Sequence, residues 1–149
     1  MIEIHKARRF FSPQEKERIM AAIGQAEKAT SGEIRVHVEN GGGGDPMDRA
    51  KHVFTQLGMA GTALRNGVLI YLAVSDRKFA IIGDAGIDAV VPEHFWEETK
   101  EAMRRQFREG HFAEGVCQGI LSVGEHLRKN FPCRADDVNE LTNEISEGY

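Results

Sequence analysis

The sequence is poor in cysteine, in charge of one sign and in long apolar runs, and each shortage removes a class of protein. Cys117 and Cys133 are its two cysteines. They fall in different predicted elements, with neither the CxxC spacing of redox and zinc sites nor the density of a secreted disulfide scaffold. Both are read as reduced, structural thiols. A net charge of −4 argues against a broad electrostatic footprint on nucleic acid. The local basic clusters, at Lys6, Arg8 and Arg9 and at Arg104 and Arg105, are read as a mobile arm and a solvated helix face. The longest apolar run, Gly67 to Val74, is far short of the roughly 20 residues that cross a bilayer, so no membrane span is expected. Met1 to Phe11 is too charged for a signal peptide, and a cytoplasmic chain is the expectation.

Catalytic signatures are scarce as well. GxGxxG and GxxxxGK[ST] are both absent, so no nucleotide cofactor is expected. The six histidines, His5, His37, His52, His94, His111 and His126, form no HExxH or His-x-His pair that would suit zinc. No GxSxG elbow is present, and neither cysteine has a recognisable partner pattern for nucleophilic catalysis. There is no internal repeat, and no linker divides the chain.

What remains suits one packed domain: 149 residues, 41% of them apolar, are enough for a single core. Residues 1–11 read as an N-terminal arm, 12–132 as an α/β domain and 133–149 as an acidic tail. Ser12-Pro13-Gln14-Glu15 supplies a capping hydroxyl, a first-turn proline and a glutamate three residues after the cap, so a helix starts there. Ile19, Met20, Ile23 and Ala26 share its buried stripe, and Gly32 is placed to end it in a left-handed conformation. Glu33 to Glu39 alternates as a strand, with Ile34, Val36 and Val38 on one face and Arg35 and His37 on the other. Asp45-Pro46 opens a second helix carrying Ala50, Val53, Phe54 and Leu57, which ends near Gly58.

Gly67 to Val74 is apolar and β-branched throughout, the pattern of a central strand covered on both sides. Ser75-Asp76-Arg77 turns the chain into Lys78 to Gly83, an antiparallel partner. Pro92 is expected to open a helix with Trp96, Met103 and Phe107, the Trp96 and Phe107 rings being read as core. The stripe Phe112, Val116, Ile120, Val123 and Leu127 marks a last helix, stopped by Pro132. In the tail, Val138, Leu141 and Ile145 keep helical spacing and suggest a short docked helix. The predicted order is αβαββαα, a parallel β-α-β unit with an antiparallel third strand and helices on both faces.

Five stretches in order carry a family resemblance. They are Thr30-Ser31-Gly32-Glu33-Ile34-Arg35-Val36, Arg65-Asn66-Gly67-Val68-Leu69-Ile70-Tyr71, Asp76-Arg77-Lys78, Gly83-Asp84-Ala85-Gly86-Ile87 and Phe107-Arg108-Glu109-Gly110-His111-Phe112. Together they resemble the TPM domain, named for a thylakoid lumen phosphatase, a photosystem II repair protein and a modulator of acetylcholine-receptor levels. The resemblance runs from about Ser12 to Phe131. It implies an α/β/α sandwich around a small mixed sheet. It further implies either the phosphatase activity attributed to the plant member or a non-catalytic part in a larger system.

Strand direction places the start of the first two strands and the end of the third together. Thr30, Ser31, Glu33, Arg65, Asn66, Asp84, Gly86 and Asp88 therefore share one end of the sheet. Carboxylates, an amide and hydroxyls there would suit calcium or magnesium, with Glu33, Asp84 and Asp88 as the candidate ligands. Arg65, Asn66 and Asp84 are the candidate catalytic residues, acting on a phosphorylated substrate. The same residues also read structurally, with Asp84 and Asp88 capping a helical turn and Arg65 pairing with a carboxylate. At the opposite end, Gly41-Gly42-Gly43-Gly44-Asp45 reads as a flexible loop, since Asp45 sits where phosphate would bind. The alternative function is a non-catalytic interaction domain that engages a protein partner through a helix face or the acidic tail.

Overall fold

The computed structural model describes residues 6–133 and 141–148. Its elements run α1 (Lys6–Phe10), α2 (Pro13–Ala26), β1 (Glu33–Glu39), α3 (Pro46–Gln56), β2 (Gly67–Ala73), β3 (Lys78–Gly83), α4 (Ala85–Asp88), α5 (Glu97–Arg108), α6 (Phe112–Leu127) and β4 (Ser146–Glu147). The sheet order is β3-β2-β1-β4. β1 and β2 are parallel from Glu33 opposite Gly67 to Glu39 opposite Ala73, and β3 returns antiparallel. This is the α/β architecture expected, with a short fourth strand added.

The pleat divides the core. Ile34, Val36 and Val38 of β1 and Val68, Ile70 and Leu72 of β2 face α2, α5 and α6. Leu69, Tyr71 and Ala73 face the other way, onto Ala50, Val53 and Phe54 of α3. Because both faces of β2 are covered, every residue of it is buried. Each fully buried aliphatic side chain contributes about 1.5–3 kcal/mol relative to exposure.

The predicted caps form. Ser12 Oγ accepts from the Glu15 amide at 3.1 Å while Glu15 Oε1 accepts from the Ser12 amide at 2.8 Å, satisfying two end donors of α2. Asp45 Oδ1 accepts from the Met47 amide at 2.9 Å and starts α3. Three glycines of α6 let it pack closely: a Cβ on Gly119 would lie 2.5 Å from Met103 Sδ of α5, and others at Gly115 and Gly124 would meet Phe107 and Ala26.

Several expectations are corrected. The basic segment read as a mobile arm contains α1, because Ala7, Phe10 and Phe11 fall at helical i, i+3, i+4 spacing. Ala7 and Phe11 are buried and Phe10 packs against the same core. Gly32 does not end α2; the helix stops at Ala26. Positive φ is found instead at Gly58, after α3. Pro92 does not open α5, which begins at Glu97 with Trp96 as its cap residue. α6 stops at Leu127, before Pro132. In the tail, Val138 lies outside the described residues. Leu141 and Ile145 are not helical, and the chain instead pairs Ser146 and Glu147 with His37 and Val38. No helix among the described residues is long and apolar enough to cross a membrane.

Candidate functional site

The end of the sheet that gathers the recurring motifs is built mainly from internal contacts. Thr30 Oγ1 donates to the Phe131 carbonyl and accepts from the Gly32 amide, fixing the approach to β1. Asn66 is buried; its side-chain Nδ2 donates to the Ser31 carbonyl at 3.3 Å, and its backbone carbonyl accepts from the Glu33 amide at 3.2 Å. Arg65 sits at φ +51°, and its guanidinium grips Asp84 in a two-point pair, both contacts 2.9 Å. Asp84 also accepts from the Ala85 amide at 2.7 Å as the cap of α4. Burial pushes the Asp84 carboxyl up, but the Arg65 hydrogen bonds and charge and the Ala85 amide outweigh it and hold the carboxyl below its usual range. Gly86 is required here, since a Cβ would lie 2.2 Å from the Leu64 carbonyl oxygen.

Glu33 is buried against a partner that sequence reasoning missed. Glu27, which caps the end of α2, accepts from the Ile34 amide at 3.2 Å. Burial, with the charge and hydrogen bond of the adjacent Glu33, raises its carboxyl to about 8 against the opposing Ile34 amide. Glu27 therefore carries a proton at neutral pH beside the Glu33 carboxyl. Asn143 also hydrogen-bonds Glu27.

The proposed cation ligands do not assemble in this geometry. Glu33 faces Glu27, Asp84 is occupied by Arg65 and the Ala85 amide, and Asp88 is exposed on α4. No group of three or more His, Cys, Asp or Glu side chains suited to a metal ion occurs among the described residues. The capping alternative for Asp84 and the ion-pair alternative for Arg65 are both realised; Asp88 caps nothing and lies within α4 itself.

A second polar system lies on the α3 face of β1. His37 Nε2 pairs with Glu39 Oε1 at 2.9 Å, and Nδ1 with Ser146 Oγ at 2.9 Å. Arg49 from α3 grips Glu39 at 2.7 and 3.1 Å, and the Tyr71 hydroxyl donates to Glu39 at 2.5 Å. Burial works to raise the Glu39 carboxyl, yet Arg49, Tyr71 and His37 together bring it down to about 2. Burial lowers His37, despite the pull of Glu39 in the opposite direction. The signal for this network was present in the sequence: Glu33, Arg35, His37 and Glu39 alternate along one face of a strand whose neighbour is wholly apolar.

The hairpin end of the sheet opens into a cleft of about 860 Å³, between the β2–β3 hairpin and the α5–α6 junction. Arg77, Lys78, Arg104 and Arg108 line it together with Phe10, Phe79, Phe107 and Phe112. Phe112 was expected on the buried stripe of α6 but is 41% exposed here. Beside the cleft the glycine loop is tied down, the Gly43 amide donating to Asp76 Oδ2 at 2.9 Å. A Cβ on Gly41 would overlap the same carboxylate.

The ordered motifs thus occupy both ends of one small mixed sheet, and comparison with known proteins agrees with them. The TPM domain model matches residues 4–126. The chain belongs to this family. A similar TPM-type structure is that of BA42 from the psychrophilic bacterium Bizionia argentinensis. It is 49% identical, with a TM-score of 0.88, covering 93% of this chain and 96% of that one. The N-terminal domain of a protein from P. gingivalis shares the fold at 21% identity and TM-score 0.65, covering 81% of this chain and 78% of that one. The N-terminal domain of cg2496 from Corynebacterium glutamicum does so at 19% identity and TM-score 0.61, covering 77% and 72%. No curated protein matches the chain. In this TPM domain, then, the Arg65–Asp84 end is internally neutralised, while the hairpin end presents open cationic and aromatic surface.

Proposed function

We propose that this TPM domain is a non-catalytic binding domain acting in the cytoplasm, where its two free thiols would stay reduced. The observation that carries the reading is the state of Asp84. Both of its oxygens are held by Arg65, and one also caps α4, so this candidate carboxylate is already engaged. Catalysis by general base or metal ligation needs such a group unengaged. The test is a phosphomonoester assay on the purified protein with added magnesium or calcium, comparing the natural chain with Asp84→Asn. The binding reading expects no turnover above buffer in either. Turnover that disappears in a folded Asp84→Asn variant would refute it.

One observation favours a second reading, a divalent-cation site with phosphatase-like activity. Half-buried Glu27 and buried Glu33 bring two carboxyls together, and the proton Glu27 holds there is one that a calcium or magnesium ion would displace. Metal binding of this kind would release that proton. A thermal-shift series across calcium, magnesium, manganese and zinc tests it. A cation at 100 times its dissociation constant adds about 2.7 kcal/mol, several degrees in midpoint. No shift with any of the four removes the second reading.

A further inference from the structure

Four phenylalanines from four separate elements form a continuous wall in the hairpin-end cleft. Phe10 of α1 meets Phe112 of α6 with centroids 5.1 Å apart, Phe112 meets Phe107 of α5 at 5.7 Å, and Phe107 meets Phe79 of β3 edge-on at 5.3 Å. Contiguous apolar surface left open on a folded domain marks a contact for something else. The wall is bordered by positive charge. Arg77 and Lys78 are exposed at the hairpin, and Arg104 and Arg108 are exposed along α5. The Arg104 guanidinium lies over the Phe79 ring at 5.8 Å. Arg104 and Arg108 reach one carboxylate between them, Glu101, at 3.6 Å in both cases. No acidic side chain is among the described residues that line the cleft. Four cations set around an apolar wall repel one another, and an anion placed among them relieves that repulsion.

We propose that this cleft binds a small single-chain amphiphile, its hydrocarbon chain along the phenylalanine wall and its anionic head among Arg77, Lys78, Arg104 and Arg108. The size agrees, because pockets for small organic ligands run from about 300 to 1,000 Å³ and this one is about 860 Å³. The rings pack against each other, edge-on for Phe79 and Phe107 and tilted for the pairs with Phe112. They therefore present a curved hydrocarbon surface more suited to an acyl chain than to stacked bases. The assignment rests on the binding reading above and names the class of ligand.

The experiment is an amide NMR titration of the full chain with octyl phosphate and octanoate, each below its micellar concentration, with octanol and inorganic phosphate in parallel arms. Both octyl anions are expected to shift the amides of Phe79, Phe107 and Phe112. Octanol and inorganic phosphate should bind at least about tenfold more weakly, since each supplies half of the contacts. Shortening octyl to butyl phosphate should weaken binding about fourfold per methylene removed. An Arg77→Ala/Lys78→Ala variant, altered only at exposed positions, should lose about tenfold in affinity for the anions with its thermal midpoint unchanged. Phe112→Ser should weaken the anions and octanol alike.

Equal binding of octanol and octyl phosphate, shifts confined to other faces, or undiminished affinity in the double alanine variant would overturn the assignment. So would binding of an acidic peptide or an anionic vesicle without any response to the octyl anions. Phosphate release with the same amides perturbed supports the cleft and refutes the non-catalytic reading. No perturbation with no release overturns the cleft alone.

Discussion

Arg65 and Asp84 hold one another through two parallel contacts of 2.9 Å, with the carboxylate buried and the guanidinium half in water. The pair joins the start of β2 to the end of β3 and engages a candidate catalytic carboxylate. Its loss should read out as stability. Asp84→Ala removes the α4 cap as well as the ion pair, and the cap alone is worth about 1 kcal/mol. Arg65→Ala should be milder, because Asp84 keeps the Ala85 amide. Since the Asp84 carboxyl is held below its usual value, its contribution is present at neutral pH and is lost as pH falls through the folded value. Urea denaturation should therefore show the Asp84→Ala deficit shrinking toward acid.

Glu27 has the opposite sign. Its folded value of about 8 lies above the unfolded 4.5, so the proton it binds stabilises the fold at low pH. That stabilisation declines as pH rises between those two values and is gone above about 8. Glu27→Gln, neutral at every pH, should flatten the stability profile across this window and be the more stable protein at its alkaline end. A profile that keeps the natural slope in the variant would show that another group is responsible.

Tyr71→Phe deletes a single hydroxyl whose partner is the buried Glu39 carboxylate. Hydrogen bonds to charged groups contribute roughly 1.5–3 kcal/mol, and a loss in that range is expected by chemical denaturation. With Glu39 held at about 2, its network contributes stability above the usual carboxylate range and loses it only as pH drops toward that value. The variant should unfold at a less acidic pH than the natural chain.

Gly86→Ala drives a methyl against the Leu64 and Arg65 carbonyl oxygens, which would lie 2.2 and 2.6 Å away. Both are backbone atoms that cannot rotate aside. Overpacking of this kind costs about 1–3 kcal/mol or more, read as a lower thermal midpoint. The Arg65–Asp84 pair should loosen with it.

The hydrophobic periodicity made most elements legible, because α2, α3 and α6 and the three long strands each bury a stripe that local spacing reveals. Phe112 shows where that reasoning stops. It has the right spacing for the buried face of α6, but the helix begins there, beyond the edge of the layer that covers its other stripe residues. α1 was hidden by its arginines, which point to water while Ala7 and Phe11 go inward. Glu27 could not be matched with Glu33 from spacing, since their approach depends on how the chain turns between α2 and β1. The strand at Ser146 depends on a partner more than a hundred positions earlier, and helical spacing over Leu141 and Ile145 competed with it. Directional reading of the strands did place Arg65, Asn66 and Asp84 together, and it left the hairpin end undervalued.

The pairing of Ser146 and Glu147 with β1 has a bearing on solubility. β1 would otherwise border the sheet with open backbone donors and acceptors, the template on which a strand from another chain can add. Lys16 fastens the covering segment through Glu147 at 3.0 Å, and the Gly148 amide donates to the Val38 carbonyl at 2.8 Å. Ser146 to Gly148 thus lay the protein's own chain along the His37–Val38 stretch of that border, leaving fewer open backbone groups there for a second copy to meet.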